Sequence, residues 1–395
     1  MLTAKRVQLA DLCLAMPKKQ NSATPSRFAP LTLTFAVLLL STPARLHAGK
    51  PTAHDGATRI SSNENPFGFS DKALQKMKAA LEAGNYYNHN DVAEMVTVLA
   101  GREGVPENYI LPTPGSGPVL MMTAWAYAKP GVNIVTTAMG YTQLTREFVD
   151  HGGDVKFAPL SERMGYDFKS LSRAIDDRTV IVYICNPNNP TGALADPAEL
   201  RRFILSVPEN ILVFVDEAYL ELADSGLAAN TVAPLVKVRK NLIVSRTFSK
   251  GYAMAGLRAG YGIAPPEVLA KLRHFYVGAP SYLAAIAATE SVKDQAHLEA
   301  NRAHYKEVRD YACKEFDRLG IAYAAKPQGA FIYFRSGMQD KELVAKLKSR
   351  NILISGSRES GVPEGAYGDW ARVSLGTKEE MDLFLGELAK LLGKT

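Results

Sequence analysis

Between residues 130 and 265 the apolar positions fall in short, unbroken runs rather than in strict alternation. The strings TVIVYIC at 179–185 and ILVFV at 211–215 leave almost no polar face. A strand with one wet face alternates with period two, whereas an unbroken run suits a strand covered on both sides, as in a parallel sheet flanked by helices. Shorter runs at 133–137, 155–159, 242–245 and 259–263 predict further strands of the same kind. Helical patterns lie between them: one after Gly115-Ser116-Gly117-Pro118, one from Tyr141 to Gly152-Gly153, and two near 167–176 and 196–206. Upstream, Ser70 reads as the N-cap of a helix over 71–83 that Gly84 stops, and a second helix is predicted over 90–102. This rhythm predicts an α/β fold with a mostly parallel sheet. After residue 290 the pattern changes to a long charged helix (294–319), shorter strands (321–325, 331–334, 371–375) and two terminal helices, which predicts a smaller α+β domain. The expected division is a leader over 1–48, an arm and first helix over 49–84, a large domain over 85–290 and a small domain over 291–395.

Charge changes the picture at one end only. The chain of 395 residues carries a formal +6, and residues 1–54 hold seven basic side chains against the single acid Asp11. The remaining 39 basic and 39 acidic residues cancel, so charge balance does not support a nucleic-acid surface in the folded part. The leader has an apolar stretch at 31–40 behind its basic region, with small residues at 41–48. That is the build of a secretory signal, cleaved after Ala44 or Ala48, and it predicts a periplasmic or secreted protein; a transit peptide and a cytoplasmic protein are the alternatives. No run reaches the roughly 18 apolar residues of a membrane span. Cys13 lies in the leader, and neither Cys185 nor Cys313 sits in a metal-type spacing.

Polar clusters follow the predicted strands at their carboxyl ends, where open α/β sheets bind ligands. Thr247-Phe248-Ser249-Lys250-Gly251 follows strand 242–245, with Arg258 eight residues beyond Lys250. Two hydroxyls and an arginine near one lysine suit a phosphate. Asn186-Pro187-Asn188-Asn189-Pro190-Thr191-Gly192 follows strand 179–185; as a surface loop it would be ordinary, but it sits between a buried strand and a helix. Asp216 closes strand 211–215, and a buried carboxylate there must be paired or functional. Gly115-Ser116-Gly117-Pro118 opens a helix whose N-terminus favours an anion.

Taken together, SSNENPFG, CNPNNPTG, VDEAYLE, RTFSKGYAMAGLRAGY and ARVSLGT resemble the fold-type-I aminotransferases, and among them the histidinol-phosphate aminotransferase-like group, from Ser61 to the end of the chain. The resemblance implies a large mostly parallel-sheet domain with a smaller α+β domain, and pyridoxal 5'-phosphate as cofactor, held by Lys250 as a Schiff base. By the same resemblance Lys250 then moves the α-proton, Asp216 faces the pyridine nitrogen, Asn189 and Tyr219 face the ring oxygen, and Tyr141 stacks on the ring. Ser116, Gly117, Thr247, Ser249 and Arg258 would hold the phosphate, joined by Tyr87 of a partner subunit, with Tyr86 as the alternative. That implies a homodimer with a shared site. Arg372, Asn189 and Asn65 would meet the substrate, with Arg372 on its α-carboxylate.

The expected reaction moves an amino group from an amino acid to a 2-oxo acid; a decarboxylase, lyase or oxidase on the same scaffold is the alternative. Where the group carries an arginine for a substrate phosphate, this chain has Ser355-Gly356-Ser357 before Arg358. A substrate other than histidinol phosphate is therefore expected.

Overall fold

Strands form where the sequence leaves no polar face, and their partners make the reason visible. The computed structural model describes residues 56–324, 326–357 and 367–394. A short strand β1 (Thr58–Arg59) leads into helices α1 (Asp71–Ala80) and α2 (His89–Glu103), strand β2 (Ile110–Thr113) and helix α3 (Gly117–Tyr127). The alternation continues through β3 (Asn133–Thr137), α4 (Gln143–Asp150), β4 (Asp154–Ala158), α5 (Phe168–Ala174), β5 (Thr179–Cys185), α6 (Pro197–Ser206) and β6 (Leu212–Asp216). After α7 (Gly226–Asn230) come β7 (Leu242–Thr247), β8 (Gly260–Ile263), α8 (Pro266–Arg273), α9 (Tyr282–Lys293) and the long α10 (Gln295–Arg318). The chain ends with β9 (Phe331–Arg335), α11 (Asp340–Lys348), β10 (Ile352–Leu353), β11 (Ser355–Gly356), β12 (Trp370–Ser374) and α12 (Lys378–Leu392).

One sheet has seven strands in the order β2-β8-β7-β6-β5-β3-β4. All neighbours from β7 to β4 are parallel, and β8 runs antiparallel to both β7 and β2. Along β6, Val213 and Val215 enter one apolar layer with Met95 and Phe203, while Leu212 and Phe214 enter the opposite layer with Val119 and Leu269. Both faces are therefore dry, which is why this run shows no alternation. A second sheet, β11-β12-β9, is antiparallel. Ala371 and Val373 from β12 and Ile332 and Phe334 from β9 pack with Phe316, Phe384 and Leu388 of α10 and α12. Arg372 and Ser374 alternate with those residues and project from the other face of β12.

Local signals read in the sequence recur as contacts. Ser70 caps α1 by accepting from the N–H groups of Lys72 and Ala73, and Thr377 with Glu380 forms a capping box on α12. The expected arm and first helix split in two: β1 pairs with β10, whereas α1 packs on α9. Of the strand expected at 321–325, the described residues 321–324 show one isolated bridge, Tyr323 with Phe334. Strand β2 carries Pro112, which reads as a breaker, yet β2 is at the edge of its sheet, where a missing N–H is tolerated. The expected leader, with its expected cleavage after Ala44 or Ala48, Cys13 and Arg358 lie outside the described residues. Among the described residues no helix is long and apolar enough to cross a membrane, and no His, Cys, Asp and Glu cluster could hold a metal.

Candidate active site

Parallel strands β5, β6 and β7 end side by side, and each end delivers a polar group to one place. Asn189 follows β5, Asp216 ends β6, and Lys250 lies just beyond β7. All three line a cavity of about 320 Å³, together with Tyr219, Tyr141 and Arg372. Asp216 is 2% exposed, and the Ser245 hydroxyl donates to its Oδ1 at 2.8 Å. Burial raises its carboxyl to about 6, against the lowering effect of the Ser245 and Ala218 hydrogen bonds. No ion pair serves Asp216 among the described residues. Lys250 Nζ donates to the carbonyls of Ser62 at 3.2 Å and Asn63 at 2.9 Å. Burial, followed by repulsion from Arg372, brings the amine down to about 8. A carboxylate short of a cation and an amine ready to lose its proton thus share one chamber.

The anion end is built from backbone and hydroxyls. Ser116 and Gly117 start α3, with Pro118 in its first turn, and line the same cavity as Thr247, Ser249 and Arg258. Arg258 stands at φ 60°, held by hydrogen bonds from Nη1 to Ser249 Oγ at 3.1 Å and to the Ala255 carbonyl at 2.9 Å. Thr247 Oγ1 donates to Ser249 Oγ at 2.8 Å. Gly115, at φ 82°, leaves the space the Arg258 guanidinium occupies; a Cβ there would overlap it. Gly260 on β8 likewise admits the backbone of Gly115 and Ser116.

On the far wall, Arg372 donates from Nη1 to Asn189 Oδ1 at 2.7 Å and from Nη2 to the Ser61 carbonyl at 2.7 Å. Its guanidinium lies 5.5 Å from the centre of the Phe331 ring. Tyr219 packs edge-on against Phe331 at 5.0 Å. Tyr141 is the more open wall, donating to Gln143 Oε1 at 3.0 Å; burial still raises its phenol above the usual value.

Asn65 and Tyr87 lie outside this chain's cavity, Tyr87 as expected of a residue lent to a partner subunit. Asn65 does not line the cavity. Its Nδ2 donates to the Lys250 carbonyl at 2.9 Å and its Oδ1 accepts from the Phe67 N–H, so it braces the lysine's backbone. The reason is the turn of the arm: Asn63, two residues earlier at φ 54°, occupies the cavity wall. Tyr87 is 94% exposed, stacked beside His89, and Tyr86 is also exposed; neither lines the cavity of its own chain. Asn63, Ser62 and Gln143 were not legible as site residues. Asn63 at least lay within the SSNENPFG string; Gln143 carried no signal at all.

Comparisons with known proteins agree in kind. Residues 56–388 match the family model for aminotransferase class I and II. A histidinol-phosphate aminotransferase of Moorella thermoacetica is 31% identical over 337 residues, covering 85% of this chain and 85% of that protein. Histidinol-phosphate aminotransferase 1 of Cupriavidus pinatubonensis is 33% identical over 347 residues, covering 85% of this chain and 89% of that protein. The crystal structure of histidinol-phosphate aminotransferase from Sinorhizobium meliloti in complex with pyridoxal-5'-phosphate aligns with a TM-score of 0.78, covering 85% of this chain and 91% of that one. At 24% identity that likeness is one of fold.

Proposed function

The chain belongs to the class I and II aminotransferases, pyridoxal phosphate-dependent enzymes that move amino groups, and from that premise we propose how its own residues share the work. The cavity fits the cofactor by its chemistry: an amine on one wall, a buried carboxylate lacking a cation, and an anion cradle closed by Arg258. Bound there, pyridoxal phosphate supplies an aldehyde for the amine and a ring that accepts electrons from the substrate's α-carbon. Asp216 would face the ring nitrogen, where a cationic N–H offers the counter-charge its burial demands. Ser116, Gly117, Thr247, Ser249 and Arg258 would hold the phosphate. Asn189 and Tyr219 would hydrogen-bond the ring oxygen, and Tyr141 would cover the ring face. Lys250, lowered towards neutrality, serves as covalent anchor and as the base that takes the proton from the donor's α-carbon. Arg372 turns a two-pronged guanidinium to the donor's α-carboxylate.

We place the donor among the amino acids, with an α-carboxylate where histidinol phosphate carries a phosphorylated alcohol. Among the described residues the cationic groups lining the cavity are Lys250, Arg258 and Arg372, and each already has a role. The stretch that would carry a further cation presents Ser355, which donates to the Ser61 carbonyl, and Ser357, which donates to the Tyr367 carbonyl. The assembly we propose is a homodimer in which Tyr87 of one subunit reaches the cofactor phosphate of the other. Its 94% exposure beside exposed Leu81 and Tyr86 supports that reading.

The observation that carries the assignment is the convergence of Lys250, Asp216 and Arg258 on one cavity. A panel of amino acids offered to the loaded enzyme with a 2-oxo acid tests it. Amino transfer with at least one donor, abolished in Lys250→Ala, is the expected result. Release of carbon dioxide or peroxide without amino transfer would favour the decarboxylase or oxidase reading.

A further inference from the structure

We propose that Asn63 is a positioning residue: its side-chain amide fixes the Tyr219 hydroxyl so that the phenol hydrogen points into the cavity. The inference rests on reading that cavity as the cofactor site.

Asn63 is 2% exposed and sits at φ 54°, a conformation asparagine adopts more readily than most residues. Its backbone N–H donates to Ser374 Oγ at 2.8 Å. Ser374 Oγ in turn lies 2.8 Å from Asn63 Oδ1, and Asn63 Nδ2 lies 3.0 Å from the Tyr219 hydroxyl. An amide can be turned end for end, so its orientation must be argued. The backbone N–H is a donor whatever else happens, so Ser374 Oγ accepts there. The single hydroxyl hydrogen of Ser374, itself 2% exposed, then needs an acceptor, and Asn63 Oδ1 is the one it meets among the described residues. The opposite orientation would leave that hydrogen buried and unmatched. Asn63 therefore turns its NH2 to Tyr219.

The consequence falls on the phenol. With its oxygen accepting from Asn63, Tyr219 must send its own hydrogen elsewhere, and the open direction is the cavity it lines. The ring is already fixed, edge-on to Phe331 and with Lys250 Nζ 5.6 Å from its centre. Only the O–H rotation is left to set. A hydroxyl that accepts one hydrogen bond also becomes a stronger donor of the next. Arg372, Lys250, Tyr141, Cys185, Asp216 and Tyr305 are the other titratable groups around this phenol; none of them takes its hydrogen in a hydrogen bond, and Asn63 supplies the one that its oxygen accepts. Ser374 ties the device to β12, two residues past Arg372, so the arm, the small sheet and the loop after β6 meet at one amide.

Tyr219 donating to the cofactor's ring oxygen favours the anionic oxygen and lowers the proton affinity of the lysine-linked chromophore. The test is the pH midpoint of the visible absorbance of the loaded enzyme, compared for wild type, Asn63→Ala, Ser374→Ala, Tyr219→Phe and the Asn63→Ala/Tyr219→Phe double variant. Tyr219→Phe is expected to raise the midpoint most. Asn63→Ala should raise it by about half a unit, and Ser374→Ala should move it in the same direction by less, as the loss of one neutral hydrogen bond implies. In the Tyr219→Phe background, Asn63→Ala should shift nothing further, because its effect runs through the phenol. An unchanged midpoint in both Asn63→Ala and Ser374→Ala would overturn the inference, as would an Asn63→Ala shift that persists without the Tyr219 hydroxyl. A wild-type protein showing no visible band that depends on Lys250 would overturn the cofactor reading as well, and is distinguishable from either.

Discussion

An ordinary lysine amine is protonated until pH 10.5, and at position 250 burial and Arg372 bring that down to about 8. The neutral amine is the nucleophile, so the sign is fixed: the reactive fraction grows as pH rises through about 8 and levels off above it. Capture of added pyridoxal phosphate by the cofactor-free protein is expected to speed up over that interval, followed by absorbance at a series of pH values. A rate that stays low until pH nears the ordinary lysine value would contradict the assignment. At this scale the sequence was most legible where a residue's place in the cavity follows from a short string after a strand, as for Lys250, Asp216, Asn189 and Arg258. It was least legible where the role depends on which way a turn faces. SSNENPFG contains two asparagines; the one at φ 54° reaches Tyr219, and the one two residues on braces the Lys250 carbonyl. Nothing in the string distinguishes them.

Elements position those side chains by holding strand ends together. Glu217, next to Asp216, accepts from Arg246 Nε at 3.0 Å and from the Val232 N–H at 2.8 Å, and Arg246 Nη1 reaches Glu103 at 2.6 Å. Arg246 is wholly buried, so this ion pair clamps β6 to β7 just behind the site. The strands themselves were legible because both faces are apolar, and β3 and β5 match their expected limits. Strand β2 was not, since Pro112 hides an edge strand, and 321–324 was over-read because one bridge cannot be told from a strand by local pattern. Strand β8 meets the loop before α3, proposed to hold the phosphate, through Gly260, where a side chain would press on Gly115 and Ser116. Gly260→Ala should cost about 1–3 kcal/mol of stability and roughly tenfold in cofactor affinity, about one charged hydrogen bond. Denaturant unfolding and a fluorescence titration measure the two; lost stability with unchanged affinity would show that the loop's position is not set there.

At the scale of the molecule, the α/β class followed from the unbroken apolar runs between 130 and 265, and the change of pattern after residue 290 pointed to a smaller α+β part; that its strands β11, β12 and β9 pair antiparallel was not legible. Nor was what sits opposite Tyr86 and Tyr87, because a single chain's pattern cannot show what covers an exposed aromatic. The shared-site proposal has a direct check in subunit exchange. Lys250→Ala lacks the anchor, and Tyr87→Phe lacks the hydroxyl lent to the neighbour. In a hybrid of the two, one site combines an intact Lys250 with an intact partner Tyr87. Recovered cofactor affinity in half the sites is the expected result; no recovery, or a monomer by native mass, would contradict it. The most direct measurement of all is chemical. Reducing the loaded enzyme with borohydride fixes the cofactor to the amine that holds it, and mass spectrometry of the peptides locates the label. One phosphopyridoxyl group per chain on Lys250 is expected, whereas a label on another lysine, or none, would contradict the assignment of this cavity.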